Sequence, residues 1–79
     1  MADTWYAICR TPAPSIDVWP VGDMSDMVLA QAYVDAILAL LSYPADWFNT
    51  DGWDLSLSPG TPHPSLLAQA TVHDSPPAV

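Results

Sequence analysis

The stretch Asp26–Ser42, with the sequence DMVLAQAYVDAILALLS, decides the fold of this 79-residue chain. Its apolar residues recur at intervals of three and four, which is the period of an α-helix with one buried side. Gln31, Asp35 and Ser42 share the opposite side and are expected to face solvent. The buried stripe is predicted to consist of Met27, Ala30, Val34, Ile37, Leu38 and Leu41.

The two ends of this helix carry separate signals. Ser25 is the candidate N-cap, and Asp26 follows it in the first turn, where the helix dipole favours negative charge. Pro44 is expected to stop the helix, because the residue before a proline is disfavoured in helical conformation. The predicted helix therefore runs from about Asp26 to Ser42.

A second apolar row on the helix exceeds what a three-stranded sheet can cover. This row consists of Leu29, Tyr33, Ala36, Leu40 and Tyr43. The C-terminal segment, a second copy of the chain and a target protein are the three possible covers, and the first is favoured.

Three segments have the residue types and the alternation of strands, and they are Thr4–Arg10, Ser15–Trp19 and Trp53–Ser58. Thr11–Pro14 separates the first two and contains prolines, which cannot continue a strand ladder, so a β-hairpin is predicted. The second segment has the period of a strand with one covered face. A right-handed crossover through the helix places the third strand antiparallel to the first, in the spatial order 2-1-3.

The sequence therefore predicts an α+β fold, β-β-α-β, with a three-stranded antiparallel or mixed sheet packed on one long helix. Residues 1–58 are expected to form the compact domain, and residues 59–79 a Pro-rich C-terminal segment that is partly docked. Within that segment, Ser65–Val72 is apolar enough to dock, as a short helix or as an edge strand; a helix over Ser65–Ala70 that covers the second apolar row is favoured. Asp74–Val79 is expected to fray.

The charge of the chain limits its partners. It has nine acidic residues, all aspartate, against the single cation Arg10, and its formal net charge is −8. Such a chain is repelled by nucleic acid and by anionic membranes, so basic protein surfaces are the expected partners. The most apolar window, Met27–Leu41, is too short to span a bilayer. With an acidic start in place of a signal peptide, and one cysteine, the sequence predicts a cytoplasmic protein.

Catalytic and metal chemistry find little support in the sequence. His63 and His73 are the only candidate bases, and neither has a nucleophile at a suitable spacing. A calcium loop over Trp47–Ser58 fails because neither its first nor its twelfth position is a carboxylate. Cys9 is expected to be a buried, unreactive thiol. We therefore predict no enzyme activity, no metal and no cofactor.

Aspartate holds its carboxylate close to the backbone, so several aspartates can form a rather rigid negative array with spacings comparable to those of nucleic acid phosphates. Two adjacent aromatic residues on an acidic loop are the expected anchors of such a surface, although the same pair could instead plug the end of the core. The candidate partner-binding residues are Asp23, Asp26, Asp35, Asp46, Trp47, Phe48, Asp51 and Asp54.

In size, charge, compact α+β layout and lack of catalytic residues, the whole chain resembles the anti-CRISPR proteins of phages and mobile elements. These proteins share no common motif, so no individual residue role carries over. The resemblance implies stoichiometric inhibition in a bacterial host, in which an acidic face occupies the DNA-binding surface of a CRISPR effector.

Two other functions fit the same residues. A small virion or assembly subunit would form homo-oligomers through Leu29, Tyr33, Leu40 and Tyr43. Its self-association would respond little to salt, whereas inhibitor binding would weaken as salt rises. An acidic antitoxin that neutralises a basic toxin is the third possibility.

Overall fold

A four-stranded mixed sheet with one main helix forms the fold in the computed structural model, which describes residues 4–12 and 15–78. The elements are β1 (Trp5–Thr11), β2 (Ser15–Gly22), α1 (Met27–Leu40), a 3-10 turn (Trp47–Asn49), β3 (Asp54–Pro59), α2 (Pro64–Leu67) and β4 (Thr71–Val72). The predicted α+β class is confirmed. The sheet differs from the prediction by the additional strand β4.

The sheet has the order β3-β1-β2-β4. Strand β1 is antiparallel to both of its neighbours, so the predicted hairpin and the predicted order 2-1-3 are confirmed. Residues 13–14 of the predicted hairpin connection lie outside the described residues. Strand β4 pairs in parallel with β2, where Asp17 and Val18 lie opposite Thr71 and Val72.

The main core lies between α1 and one face of the sheet, which we call the helix face. Its buried residues are Ala7, Cys9, Trp19, Val21 and Ile37. The alternation of strand side chains explains this set, because Ala7 lies opposite Trp19 on one side and opposite Leu57 on the other. Both partners therefore point toward α1 together with Ala7.

The inner side of α1 differs from the predicted stripe. Ala30 and Ile37 are buried as predicted, but Met27 is 76% exposed. Tyr33, which the sequence placed in the second row, packs against the core. Met24, in the turn before the helix, also packs against the core. Met27 is the first residue of the helix. The core contact predicted for Met27 is made instead by Met24 in the preceding turn.

The N-cap of α1 is Asp26, so the prediction of Ser25 is wrong. Asp26 Oδ1 accepts hydrogen bonds from the backbone N–H groups of Val28 at 3.0 Å and Leu29 at 3.2 Å. Ser25 instead donates its own N–H and hydroxyl to the Asp23 carboxylate. A carboxylate that accepts two otherwise unpaired amides caps the helix and also matches the positive end of its dipole.

The helix ends before the predicted Ser42. Ser42 has a φ of 58°, the left-handed conformation that commonly ends helices, and it is followed by a hydrogen bond from Tyr43 N to Leu38 O at 2.9 Å. The helix therefore ends before Pro44, and Pro44 is not what stops it.

The C-terminal segment crosses the other face of the sheet, which we call the far face. Val18 points to this face and is fully buried. Gln69, just after α2, lines a cleft together with Arg10 and Ile16, which also point to the far face. The crossovers β2–α1–β3 and β3–α2–β4 run in opposite directions across the sheet, so right-handedness puts them on opposite faces. Strand β2 consequently has two covered faces, whereas the sequence predicted one.

This path corrects the prediction that the C-terminal segment covers the second apolar row of α1. The short helix exists, as Pro64–Leu67 in place of the predicted Ser65–Ala70, but Leu29 and Leu40 remain 36% and 60% exposed. The predicted fraying from Asp74 onward is wrong at Pro77, which is buried.

Candidate protein-binding surface

The predicted carboxylates fall into two groups at opposite ends of α1. Asp23 and Asp26 lie at its N-terminal end, and Asp46 and Asp51 lie on the chain that follows its C-terminal end. The 14-residue helix between the two groups is about 21 Å long. Asp35 lies between them on the helix, and all five of these residues are exposed. The structure therefore distributes the acids along α1 rather than gathering them at one spot.

Asp54 does not belong to this arrangement. It lies opposite Arg10 in the β1–β3 register, while the next residue, Leu55, packs against the core on the helix face. Successive strand side chains point to opposite faces, so Asp54 points to the far face. The expectation that Asp54 joins the other predicted carboxylates on one surface is therefore wrong.

Three of the carboxylates accept hydrogen bonds from their own neighbourhood. Asp23 and Asp26 organise the turn and the cap before α1, and Asp35 Oδ1 accepts a bond from Gln31 Nε2 at 2.9 Å. None of these bonds supplies a positive charge. Among the described residues, the only carboxylate within salt-bridge distance of a basic group is Asp17, which contacts His73. The negative charge along α1 is therefore uncompensated within the part of the chain that the structure describes.

The two predicted aromatic anchors have different environments. Trp47 is half-buried and lies edge-on to Tyr43, with ring centroids 5.6 Å apart. Phe48 is 68% exposed, although its ring lies 6.0 Å from that of Trp47. Phe48 is thus presented to solvent, as an anchor would be, whereas Trp47 packs on Tyr43, which in turn packs against the core.

The loop that carries these aromatics is held against the β1–β2 hairpin. Gly52 has a φ of +92°, and a Cβ at this position would lie 3.0 Å from Pro12. Tyr43 fixes the same end of the sheet, since its hydroxyl lies 2.9 Å from Arg10 O and 2.6 Å from Asp54 O. The Trp47–Phe48 turn therefore projects from a braced end of the molecule.

The side of α1 that points away from the sheet is mostly apolar. We call it the outer face, and its residues are Val28, Gln31, Ala32, Asp35, Ala36, Ala39 and Leu40, of which Ala32 and Ala36 are half-buried. Val28 is 81% exposed and Leu40 60% exposed. Gln31, Asp35 and Ser42 are exposed as predicted, but the exposure of Val28 on the same side was not predicted. The available signal was composition, because only Gln31 and Asp35 are polar within Met27–Leu41.

Two residues predicted to mediate self-association are committed to the fold. Tyr33 and Tyr43 both pack against the core, and the Tyr43 hydroxyl is hydrogen-bonded to backbone carbonyls. Only Leu29 and Leu40 of the predicted dimer row are available as that prediction required.

Sequence reasoning also missed a cluster that holds the C-terminal segment. The His73 ring stacks on Trp19, with centroids 3.5 Å apart and planes 4° from parallel, and His73 Nε2 lies 3.0 Å from Asp17 Oδ1. His73 N donates to Val18 O at 2.9 Å. His73 and Asp17 are 56 residues apart in the chain, so no local pattern could have indicated the contact. His63 has a local role, since its Nδ1 caps α2 by accepting from Ser65 N.

Cys9, which lies beside this cluster, has an unreactive, buried thiol. Burial, reinforced by the negative charges of Asp17 and Asp54, raises the pKa of the Cys9 thiol to about 12. A thiol with this pKa is not a nucleophile near neutral pH. Across residues 4–12 and 15–78, no group of three or more His, Cys, Asp or Glu side chains is arranged to hold a metal ion. The chemistry that these side chains offer is non-covalent binding.

Comparisons with family models, with curated proteins and with solved structures found no match to this chain. None of the helices among the described residues has both the length and the apolar character needed to cross a membrane. The fold and the surface together define an acidic α+β protein with an uncovered apolar helix face.

Proposed function

We propose that this chain is a stoichiometric protein inhibitor that binds a basic, nucleic-acid-binding surface of a bacterial defence complex, a CRISPR effector, and so blocks DNA binding. The observation that supports the proposal is the set of exposed carboxylates at both ends of α1 and between them, none of which has a cationic partner among the described residues.

The mechanism follows from electrostatics. A DNA-binding channel is lined by Lys and Arg and already has a potential suited to negative charge. A chain with a net charge of −8 is attracted to that channel over longer distances than contact forces reach, which speeds the encounter. Once bound, its carboxylates replace phosphates as partners of the Lys and Arg side chains, and DNA is excluded by competition.

The test is a competition experiment. The tagged chain is used to capture its partner from a CRISPR-bearing bacterial lysate at low and at high salt, and the purified effector is then titrated with labelled target DNA and inhibitor. Asp→Asn substitutions at Asp23, Asp26, Asp35, Asp46 and Asp51 keep the side-chain shape, and Asn also preserves the N-cap. We expect the combined variant to lose at least about tenfold in affinity, since exposed charge pairs contribute about 0.2–1 kcal/mol each.

Asp54→Asn is the matched control, because it removes the same charge from the far face. We expect it to inhibit nearly as well as the unmodified chain. Equal affinity of the combined variant and the control would overturn the acidic-surface mechanism, and capture that does not weaken with salt would do the same.

A further inference from the structure

The outer face of α1 is a mostly apolar surface whose larger apolar residues are exposed in the described chain. Val28 and Leu40 are 81% and 60% exposed, and Ala39 next to Leu40 is also exposed. The C-terminal segment, which is the one element that could have covered this side, crosses the far face and pairs with β2. Clustered exposed apolar residues of this kind mark interaction sites in small proteins.

The outer face has a shape suited to a helix. Its middle consists of small residues, Ala32, Ala36 and Ala39, and its two ends carry the larger Val28 and Leu40. A partner helix can approach closely over the alanines, because interaxial distances of about 8–10 Å depend on the size of the contacting side chains. Val28 and Leu40 then flank the ends of the contact.

The negative charge around the outer face indicates that a binding partner must carry positive charge. Asp23 and Asp26 lie at one end of the outer face, Asp35 in its middle and Asp46 beyond its other end. The chain has no lysine, and Arg10 lies on the far face, so nothing on α1 balances these charges. A second copy is a poor occupant, because each copy carries a net charge of −8 and a two-fold axis near Asp35 would bring the two Asp35 carboxylates together.

We propose that the outer face of α1 binds an amphipathic helix of the partner, one whose apolar stripe is flanked by Lys and Arg. This inference rests on the proposed function for the basic character of the partner. It adds that apolar contact on α1, rather than the Trp47–Phe48 turn, is the centre of the interface. The acids at the ends of α1 then form a charged rim around an apolar centre, which is the usual layout of a protein interface.

The experiment uses the full chain and a synthetic helical peptide whose Leu/Ala stripe is flanked by Lys and Arg. A peptide of the same composition in scrambled order is the control. Amide chemical shifts of the ¹⁵N-labelled chain locate the contact, and a titration gives the affinity. We expect saturable binding with the largest shifts in residues 28–40, and at least fivefold weaker binding of the scrambled peptide.

Two substitutions separate the outer face from general charge effects. Ala39→Lys adds a bulky cation to an exposed helical position that tolerates it, and we expect at least tenfold weaker peptide binding. Ser56→Lys adds the same charge on the far face, and we expect a change of less than threefold. Circular dichroism of both variants confirms that the fold is retained.

Several results would overturn the inference. These are equal binding of the ordered and scrambled peptides, shifts centred on Trp47 and Phe48, and self-association of the chain that Ala39→Lys abolishes. Failure of the proposed function is distinguishable. If no effector is captured but the peptide binds the outer face, the inference stands; if an effector binds Ala39→Lys and the unmodified chain equally well, only the inference fails.

Discussion

The two sides of α1 are both apolar, yet they have opposite environments. On the inner side, Ile37 is fully buried against Cys9 and Trp19. On the outer side, Val28 and Leu40 are largely exposed. Gln31 and Asp35 form only a short polar stripe on the outer side, which is less polar than the outer side of a typical surface helix. The apolar content of α1 exceeds what its own fold buries, and the excess faces solvent.

The two sides of α1 also differ in whether their apolar residues contribute to the stability of the free chain or to the binding of a partner. Burial of a side chain such as Ile37 stabilises the folded chain by about 1.5–3 kcal/mol. Val28 and Leu40 contribute little of this kind until a partner covers them. Substitutions on the inner side should therefore change the stability of the free chain, and substitutions on the outer side should change binding.

The largest expected effect compares Ile37→Ala with Leu40→Ala. We expect Ile37→Ala to lower the free energy of unfolding by about 2–5 kcal/mol, because it opens a cavity in a fully buried position. Leu40→Ala should change it by less than about 0.5 kcal/mol. Urea denaturation followed by circular dichroism measures both.

Ile37→Val provides a milder variant in case Ile37→Ala does not fold, with an expected loss of about 0.5–1.5 kcal/mol. If Leu40→Ala and Ile37→Ala destabilise the chain equally, the distinction between the two sides of α1 is wrong.

The next prediction concerns the pH dependence of the free energy of unfolding, which the buried Cys9 on the inner side is expected to affect. The pKa of Cys9 is raised from its ordinary value of 9.0 to about 12, so between these values the folded chain keeps a proton that the unfolded chain releases. Stability contributed by Cys9 is therefore fully present below pH 9 and is lost as pH rises toward 12, by at most about 1.4 kcal/mol per pH unit. Burial also raises the pKa of Tyr43 above its ordinary value of 10.0, which adds to the loss above pH 10.

Urea denaturation at pH 8, 9 and 10, under reducing conditions, measures this slope. Cys9→Ala removes the thiol, so the variant should lose less stability between pH 9 and 10 than the unmodified chain does. The comparison concerns the change with pH and not the baseline, which the smaller side chain also lowers. Parallel curves for the two proteins would show that the Cys9 thiol is not the titrating group.

Local patterns predicted much of this fold because they act over a few residues. The period of Asp26–Ser42 indicated a helix, and the alternation in Trp53–Ser58 indicated a strand with Leu55 and Leu57 turned toward the core. The handedness of a single crossover then determined the order of β1, β2 and β3. The end of the helix was less predictable, since Ser42 adopts a left-handed conformation for which it is not a preferred residue.

Long-range contacts were outside the reach of the sequence. The stacking of His73 on Trp19 and the pairing of β4 with β2 join segments that are distant in the chain. They hold the end of the C-terminal segment at the β2 edge of the sheet, where it does not cover Leu40. The candidate surface could be predicted as a set of aspartates. Its geometry could not, because the face to which Asp54 points depends on the register of β3.

The smallest expected effect distinguishes the acids near α1 by how much each contributes to the free energy of unfolding. Asp26 caps the helix with two backbone hydrogen bonds, so Asp26→Ala should lower the free energy of unfolding by about 1 kcal/mol, while Asp26→Asn should change it by only a few tenths. Asp35 accepts one exposed side-chain bond from Gln31, and Asp35→Ala should cost at most about 0.5 kcal/mol.

Denaturant midpoints of the three variants at low and at high salt decide this ranking. The cap is a short hydrogen-bonded contact, so most of the Asp26→Ala loss should persist at high salt, where interactions between exposed charges are screened. Equal effects of Asp26→Ala and Asp35→Ala, or a loss with Asp26→Ala that high salt abolishes, would contradict the capping role. In that case Asp26 would act only as one more surface charge, and the Asn variants in the competition experiment would lose their structural justification.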